Sequence, residues 1–218
     1  MTDEEPEHGT DPATGQVIDP GPIERPDRFA RGYGGWIAWL GEEPDDGFDW
    51  AAPFNEKRAA RPTFRLTAGD RAVAATMAAI EDGIFEHVSD DQGEELPRHY
   101  REFAAFVTSR TNGCLYCTAV HALRFGQYSG DRTSALRVLD HGVGAQLPEN
   151  LGVLADCAAA LTATPAAFGP EHAAALAEQG LDAAAILDFV HSVAYFSYAN
   201  RMVLTVGEPT AAPAALPT

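Results

Sequence analysis

The sequence predicts an all-α fold, and three observations carry that reading. Apolar residues recur at helical spacing in one segment after another. The breaks between those segments fall on Asn112-Gly113, Gly142, Pro148, Pro165 and Gly180, residues that end helices or cannot continue them. No stretch shows the strict alternation of a half-buried strand, and neither an internal repeat nor a glycine-rich phosphate loop is present.

At 218 residues with 45% apolar content, the chain supports one substantial core or at most two small domains. A net charge of -17 argues against nucleic-acid binding, because phosphate backbones require clustered Lys and Arg. Three cysteines do not make a disulfide framework, and the odd count disfavours a secreted, stapled domain. The chain opens acidic, Met-Thr-Asp-Glu-Glu-Pro-Glu, where a signal peptide would be basic, and no stretch reaches the ~18 uninterrupted apolar residues of a membrane span. The expectation is a soluble, cytoplasmic protein with no membrane or nucleic-acid partner.

Residues 1–27 are rich in Pro, Gly, Asp and Glu and read as a mobile tail. Residues 28–66 form an aromatic-rich arm. Phe29, Tyr33, Trp36, Ile37, Trp39 and Leu40 cluster there, interrupted by Gly32, Gly34 and Gly35. They read as a short irregular helix, an aromatic lid on the main body or on a neighbouring subunit. An acidic turn from Glu42 to Asp49 and an extended segment through Trp50, Pro53 and Pro62 lead into the core. The helical domain occupies 67–207. Thr67-Ala-Gly-Asp70 has the spacing of a capping box and opens a helix to about His87, with Val73, Met77, Ile80 and Ile84 as its apolar stripe. After the acidic loop Ser89–Glu95, Pro97 starts a helix bearing Tyr100, Phe103, Phe106 and Val107 that stops near Gly113. The next helix begins at the cysteines and runs to about Tyr128. Helices at 131–140, 148–163, 170–179 and 182–206 follow, and 208–218 read as a flexible tail.

The chemistry concentrates in Glu102 to His121. With Cys114 opening a helix, Cys117 lies three residues on and His121 seven, so both thiols and the imidazole return to one face. Thr111 or Asn112 is placed to cap that helix. Cys114 then sits in the first turn, where free N–H groups and the dipole favour a thiolate. His121 can take and return a proton near neutral pH. Glu102, on the antiparallel neighbour across the Gly113 turn, can orient the imidazole. Paired thiols let one sulfur resolve the sulfenic acid formed on the other.

Glu102-x11-Cys114-x2-Cys117-x3-His121 resembles the signature of AhpD-like alkylhydroperoxidases in the carboxymuconolactone decarboxylase superfamily. The similarity runs from about Thr67 to Gly207. Gly180-Leu-Asp182 and Phe196-x3-Asn200-Arg201-x5-Gly207 resemble the C-terminal helix of its peroxidase-related branch. The resemblance implies an AhpD-like helical bundle, homo-oligomers (trimers or hexamers) and thiol-dependent reduction of hydroperoxides. It implies no bound cofactor, and an external dithiol of thioredoxin or lipoyl type as reductant. By the same resemblance Cys117 attacks the peroxide, Cys114 resolves it, and Glu102 and His121 form the proton relay. Tyr116 departs from the best-known members, which carry histidine there; a tyrosine hydrogen-bonds but is a poor base. Tyr116 and His99, three residues before Glu102, are the accessory candidates.

Rival readings use the same residues. Cys114, Cys117, His121 and Cys157 together would make a Cys3His zinc set, although Cys157 lies in a plain apolar helix where a small buried residue is expected. His191 reads as a core or interface residue, His141 as a local helix-end group. Asn200 and Arg201 read as carbonyl caps or an intersubunit pair. As functions, the alternatives are a lyase or isomerase acting on a small carboxylated lactone, and a non-enzymatic helical module with a structural metal or disulfide.

Overall fold

The computed structural model describes residues 33–38, 58, 64, 70–86 and 96–211. The acidic tail 1–27, the turn Glu42–Asp49, most of the segment through Trp50 and Pro62, Thr67, the loop Ser89–Glu95 and residues 212–218 lie outside them. Seven α-helices run in order among the described residues: α1 (Arg71–Phe85), α2 (Arg98–Asn112), α3 (Leu115–Ser129), α4 (Arg132–His141), α5 (Glu149–Thr162), α6 (Pro170–Glu178) and α7 (Ala183–Val206). A single 3-10 turn, Gly142–Gly144, joins α4 to α5. The fold is all-α.

Three helix starts carry aspartate side-chain caps. Asp70 Oδ1 accepts the Val73 N–H at 3.1 Å, Asp131 accepts from Ser134 at 2.9 Å, and Asp182 from Ala185 at 2.8 Å. Asp70 is therefore the cap of α1, not the third helical residue of a box opened at Thr67. The apolar stripe of α1 is also rotated from the expected one. Met77 and Ile84 are buried, but Val73 and Ile80 are half exposed, and Ala74, Ala78, Glu81 and Phe85 are buried instead. Small alanines allow a close approach to α7 that leaves the larger β-branched residues outside.

The aromatic arm also departs from expectation. Tyr33–Ala38 form a strand, β1, paired antiparallel with β2 (Gly207–Ala211), and the register shifts between Tyr33 and Gly35. The three glycines that interrupt this segment disfavour a helix, while Tyr, Trp and Ile suit a strand. The ribbon ties the N-terminal arm to the end of α7.

Helix α2 is the axis of the molecule, with every residue from Arg101 to Ser109 buried. One face joins a large core in which Phe103, Phe106, Phe125, Leu154, Phe189 and Val193 are essentially inaccessible. Each such side chain contributes about 1.5–3 kcal/mol on burial. A smaller cluster brings Ala74, Met77, Phe85, Tyr195 and Phe196 of α1 and α7 against Cys114 and Cys117. The buried Arg101 fastens the two halves. Its guanidinium donates to the carbonyls of Leu96 at 2.6 Å and Ile84 at 2.7 Å, and it pairs with Asp188 of α7 at 3.4 Å.

Candidate active site

The turn between α2 and α3 builds the site. Gly113 adopts φ 78°, ψ 16°, the left-handed region where a side chain costs energy. Its N–H reaches the Arg110 carbonyl at 3.3 Å, and the Cys114 N–H reaches Ser109 at 3.0 Å. This pair of bonds closes a Schellman motif, so the chain reverses within one residue and Cys114 becomes the N-cap of α3. Helical periodicity then places Cys117 and His121 on the face turned to α1 and α7, both buried.

Glu102, fully buried on α2, meets His121 across this turn, with Oε2 2.6 Å from Nδ1. Its other oxygen accepts from Arg98 Nε and Nη2, each at 2.9 Å. Burial pushes the Glu102 carboxyl up. His121, with its hydrogen bond, and the positive charges of Arg124 and Arg98 more than offset that and hold it below its ordinary value. With Glu102 ionised, Nδ1 of His121 is the donor in that bond. The imidazole is held between Phe85, stacked at 5.9 Å, and Phe196, edge-on at 4.2 Å. Arg98 is fixed in turn over Phe85 and Tyr128, both at 4.9 Å.

The two thiols occupy different environments. The Cys114 thiol is held below its ordinary value, first by the hydrogen bond that Cys117 donates to it, against the opposing effect of burial. The Tyr116 and Cys117 amides at the helix start and the Asn200 carboxamide add to the lowering. Cys117 is pushed well above its ordinary value, first by that same hydrogen bond and then by burial and the neighbouring Cys114 charge. The one hydrogen bond thus pushes the two thiols in opposite directions. Cys117, however, is the thiol that lines a cavity of about 70 Å³ beside His121, whereas Cys114 lies behind it. Tyr116, Phe64, Tyr195 and Phe196 give that cavity its aromatic wall, and Glu81 and Arg124 are its charged members.

The structure thus brings Glu102, Cys114, Cys117 and His121 together and sets Tyr116 in the cavity wall. His99 is not brought in. Its ring packs on Tyr100 at 4.1 Å, burial lowers its pKa, and both Glu102 oxygens are taken by Arg98 and His121. Cys157 is not brought in either. It belongs to the large core, its sulfur 3.6 Å from the His172 carbonyl, with its thiol pushed to about 11 by burial and by Asp156. The Cys3His set therefore does not converge. Among the described residues no group of three or more His, Cys, Asp or Glu is placed to hold a metal. His141 and His191 are exposed, His191 along a groove between α1 and α7. Arg201 donates to the Ser197 carbonyl at 2.9 Å, one turn back within α7 and short of the helix end.

Asn200 is the correction that matters most. It is neither a carbonyl cap nor an intersubunit residue. It is fully buried behind the thiols, accepting from Asn112 Nδ2 at 3.1 Å and donating to Ser109 Oγ at 3.0 Å. The signal was present in Phe196-x3-Asn200, which sets an amide one turn after a ring that packs on His121. Arg98 was also missed, though its i, i+4 spacing to Glu102 is visible in the sequence.

Residues 71–143, which include α1 to α4 and all four site residues, match the model of the Carboxymuconolactone decarboxylase family. That match lies within the helical domain, which is similar there to the carboxymuconolactone decarboxylase family. No curated protein matches the chain. Among solved structures, an AhpD-core, peroxidase-related protein from Ralstonia eutropha JMP134 superposes with TM-score 0.57 at 22% identity, covering 65% of this chain and 72% of that one. A peroxidase-related protein from Silicibacter sp. TM1040 gives 0.59 at 23% identity, covering 69% and 76%. The debrominase Bmp8 gives 0.54 at 17% identity, covering 67% and 76%. These likenesses establish the AhpD-like fold. No helix among the described residues is long and apolar enough to cross a membrane.

Proposed function

We propose that this AhpD-like protein is a thiol-dependent peroxidase. The observation that carries the reading is the cavity-lining Cys117 sulfur beside an imidazole whose Nδ1 is held 2.6 Å from the buried Glu102. On substrate entry His121 Nε2 takes the Cys117 proton, helped by Glu102, which stabilises the imidazolium. The thiolate attacks the distal peroxide oxygen, the O–O bond breaks, and the alkoxide leaves as an alcohol carrying the His121 proton. Cys117 is then a sulfenic acid. The Cys114 thiolate attacks its sulfur, forming the disulfide and releasing hydroxide, which is protonated to water. An external dithiol of thioredoxin or lipoyl type returns both thiols. No bound cofactor enters this cycle. We take the assembly to be a homo-oligomer, trimer or hexamer, with the half-exposed Val73, Ile80, Leu187, Tyr198 and Leu204 of α1 and α7 as its covered face.

The decisive measurement is mass spectrometry of the protein before and after one equivalent of organic hydroperoxide. A Cys114–Cys117 disulfide forming with stoichiometric alcohol supports the proposal; consumption of peroxide by Cys117→Ser at the wild-type rate sinks it. Turnover of a carboxylated lactone that survives thiol alkylation would instead favour a lyase or isomerase. The aromatic cavity wall favours one further reading, given the fold shared with Bmp8: reductive dehalogenation. There a carbon–bromine bond and two thiols give a carbon–hydrogen bond, a disulfide, bromide and a proton. Bromide release coupled to disulfide formation would mark it.

A further inference from the structure

Arg124 is a half-buried cation in the cavity wall. It lies on the same face of α3 as Cys117, Val120 and His121, and all four line the cavity. The nearby carboxylates are already engaged. Glu102 gives one oxygen to Arg98 and the other to His121. Glu81 receives Arg58 Nε at 3.3 Å and sits 3.5 Å from the Tyr195 hydroxyl. Among the described residues Arg124 has no ion-pair partner, so a guanidinium with free donors faces an otherwise largely apolar space. Its planar fork suits a carboxylate.

The geometry points to Arg124 as the anchor for a substrate carboxylate, making the preferred substrate a hydroperoxy acid rather than a neutral hydroperoxide. This rests on the thiol peroxidase reading above. Arg124 follows Cys117 by seven residues, about 10 Å of helix rise. Helical side chains lean toward the N-terminus, which brings the guanidinium back toward the sulfur. A short linker of about five or six bonds between carboxylate and peroxide then spans the two points. The apolar linker lies along Met202, Val203 and Phe196.

The test compares 6-hydroperoxyhexanoic acid with its methyl ester, using kcat/KM in wild type, Arg124→Gln and Arg124→Lys. Wild type should favour the acid roughly ten- to hundred-fold, the range of a charge-assisted contact. Arg124→Gln should bring the ratio close to one, and Arg124→Lys should keep an intermediate preference. The ratio within each variant cancels changes in the thiol chemistry itself. Equal rates for acid and ester in wild type, or an undiminished preference in Arg124→Gln, overturns the assignment. Should wild type reduce no hydroperoxide at all, the peroxidase reading falls, and calorimetry with hexanoate decides the carboxylate site by itself. Binding by wild type but not by Arg124→Gln upholds it; no binding, or binding by both, overturns it.

Discussion

Replacing Glu102 with glutamine changes one charge and almost no volume in a fully buried site. The carboxylate now accepts three bonds, two from Arg98 at 2.9 Å and one from His121 at 2.6 Å. A glutamine has one oxygen, which stays with the positively charged Arg98, so its NH2 turns to the imidazole. Nδ1 must then accept, and the ring proton moves to Nε2. The base becomes a donor, and the Cys117 proton loses its imidazole acceptor. General acid–base catalysis of this kind contributes about 10²–10⁴-fold, so kcat/KM should fall by that range. Stability should fall too, because Arg98 loses the full charge of its partner. The pair is partly open on the Arg98 side, 22% exposed, so a cost of about 1–3 kcal/mol is expected. At about 2–4 °C per kcal/mol for a chain of this size, Tm drops by several degrees. Stopped-flow peroxide consumption and a thermal melt measure the two effects separately. A variant that melts lower yet keeps more than half of the wild-type kcat/KM would refute the relay and leave Glu102 a purely structural residue.

Acid should remove the Glu102 contribution in wild type. Its folded pKa is depressed, so the stabilisation is complete above the ordinary glutamate value of about 4.3 and is lost as pH falls through the lower folded value; Tm against pH should show that acid limb flattened in Glu102→Gln. Asn200→Asp places a like charge beside both thiols at unchanged volume, and the pH dependence of iodoacetamide labelling should shift upward, whereas an unshifted profile would remove Asn200 from the site. Gly113→Ala must hold an L-residue at φ 78° and should cost about 1–2 kcal/mol in chemical denaturation while slowing disulfide formation by displacing Cys114. Native alkylation should leave Cys157 unmodified, with its thiol at about 11 and packed in the core; labelling of Cys157 before Cys117 would contradict the burial described.

The helices were legible because caps and breakers are local. Asp131 and Asp182 fix starts, and Gly113 and Gly130 fix ends, without reference to the rest of the chain. Four site residues were legible for the same reason, since three share one helix face and the fourth lies just across a tight turn. What stayed hidden depends on which helix packs where. The exposure of Val73 and Ile80 follows from alanines meeting α7, which no periodicity within α1 announces. Asn200, 86 residues beyond Cys114, enters the site only because α7 crosses α2 at Ser109 and Asn112. The β1–β2 ribbon pairs segments from opposite ends of the chain, and its strand at 33–38 was obscured by glycines that break helix and strand patterns alike.

The separation of the acidic thiol from the accessible one has a mechanistic consequence. If Cys114 were both the thiolate and the cavity-facing sulfur, its charge would need no proton transfer, and Glu102 and His121 would have little to do. Instead the hydrogen bond from Cys117, then the helix start and Asn200, lower the sealed Cys114 thiol, while that bond and burial raise Cys117, the sulfur that lines the cavity. On the proposed peroxidase reading, attack by Cys117 calls for a base, and His121, oriented by Glu102, lines the cavity with it. On the same reading, once Cys117 carries oxygen, Cys114, the thiol with the lowered pKa, is the nucleophile of the resolving step. Burst kinetics should show alcohol release slowed by loss of His121, with disulfide closure fast in every variant that retains Asn200.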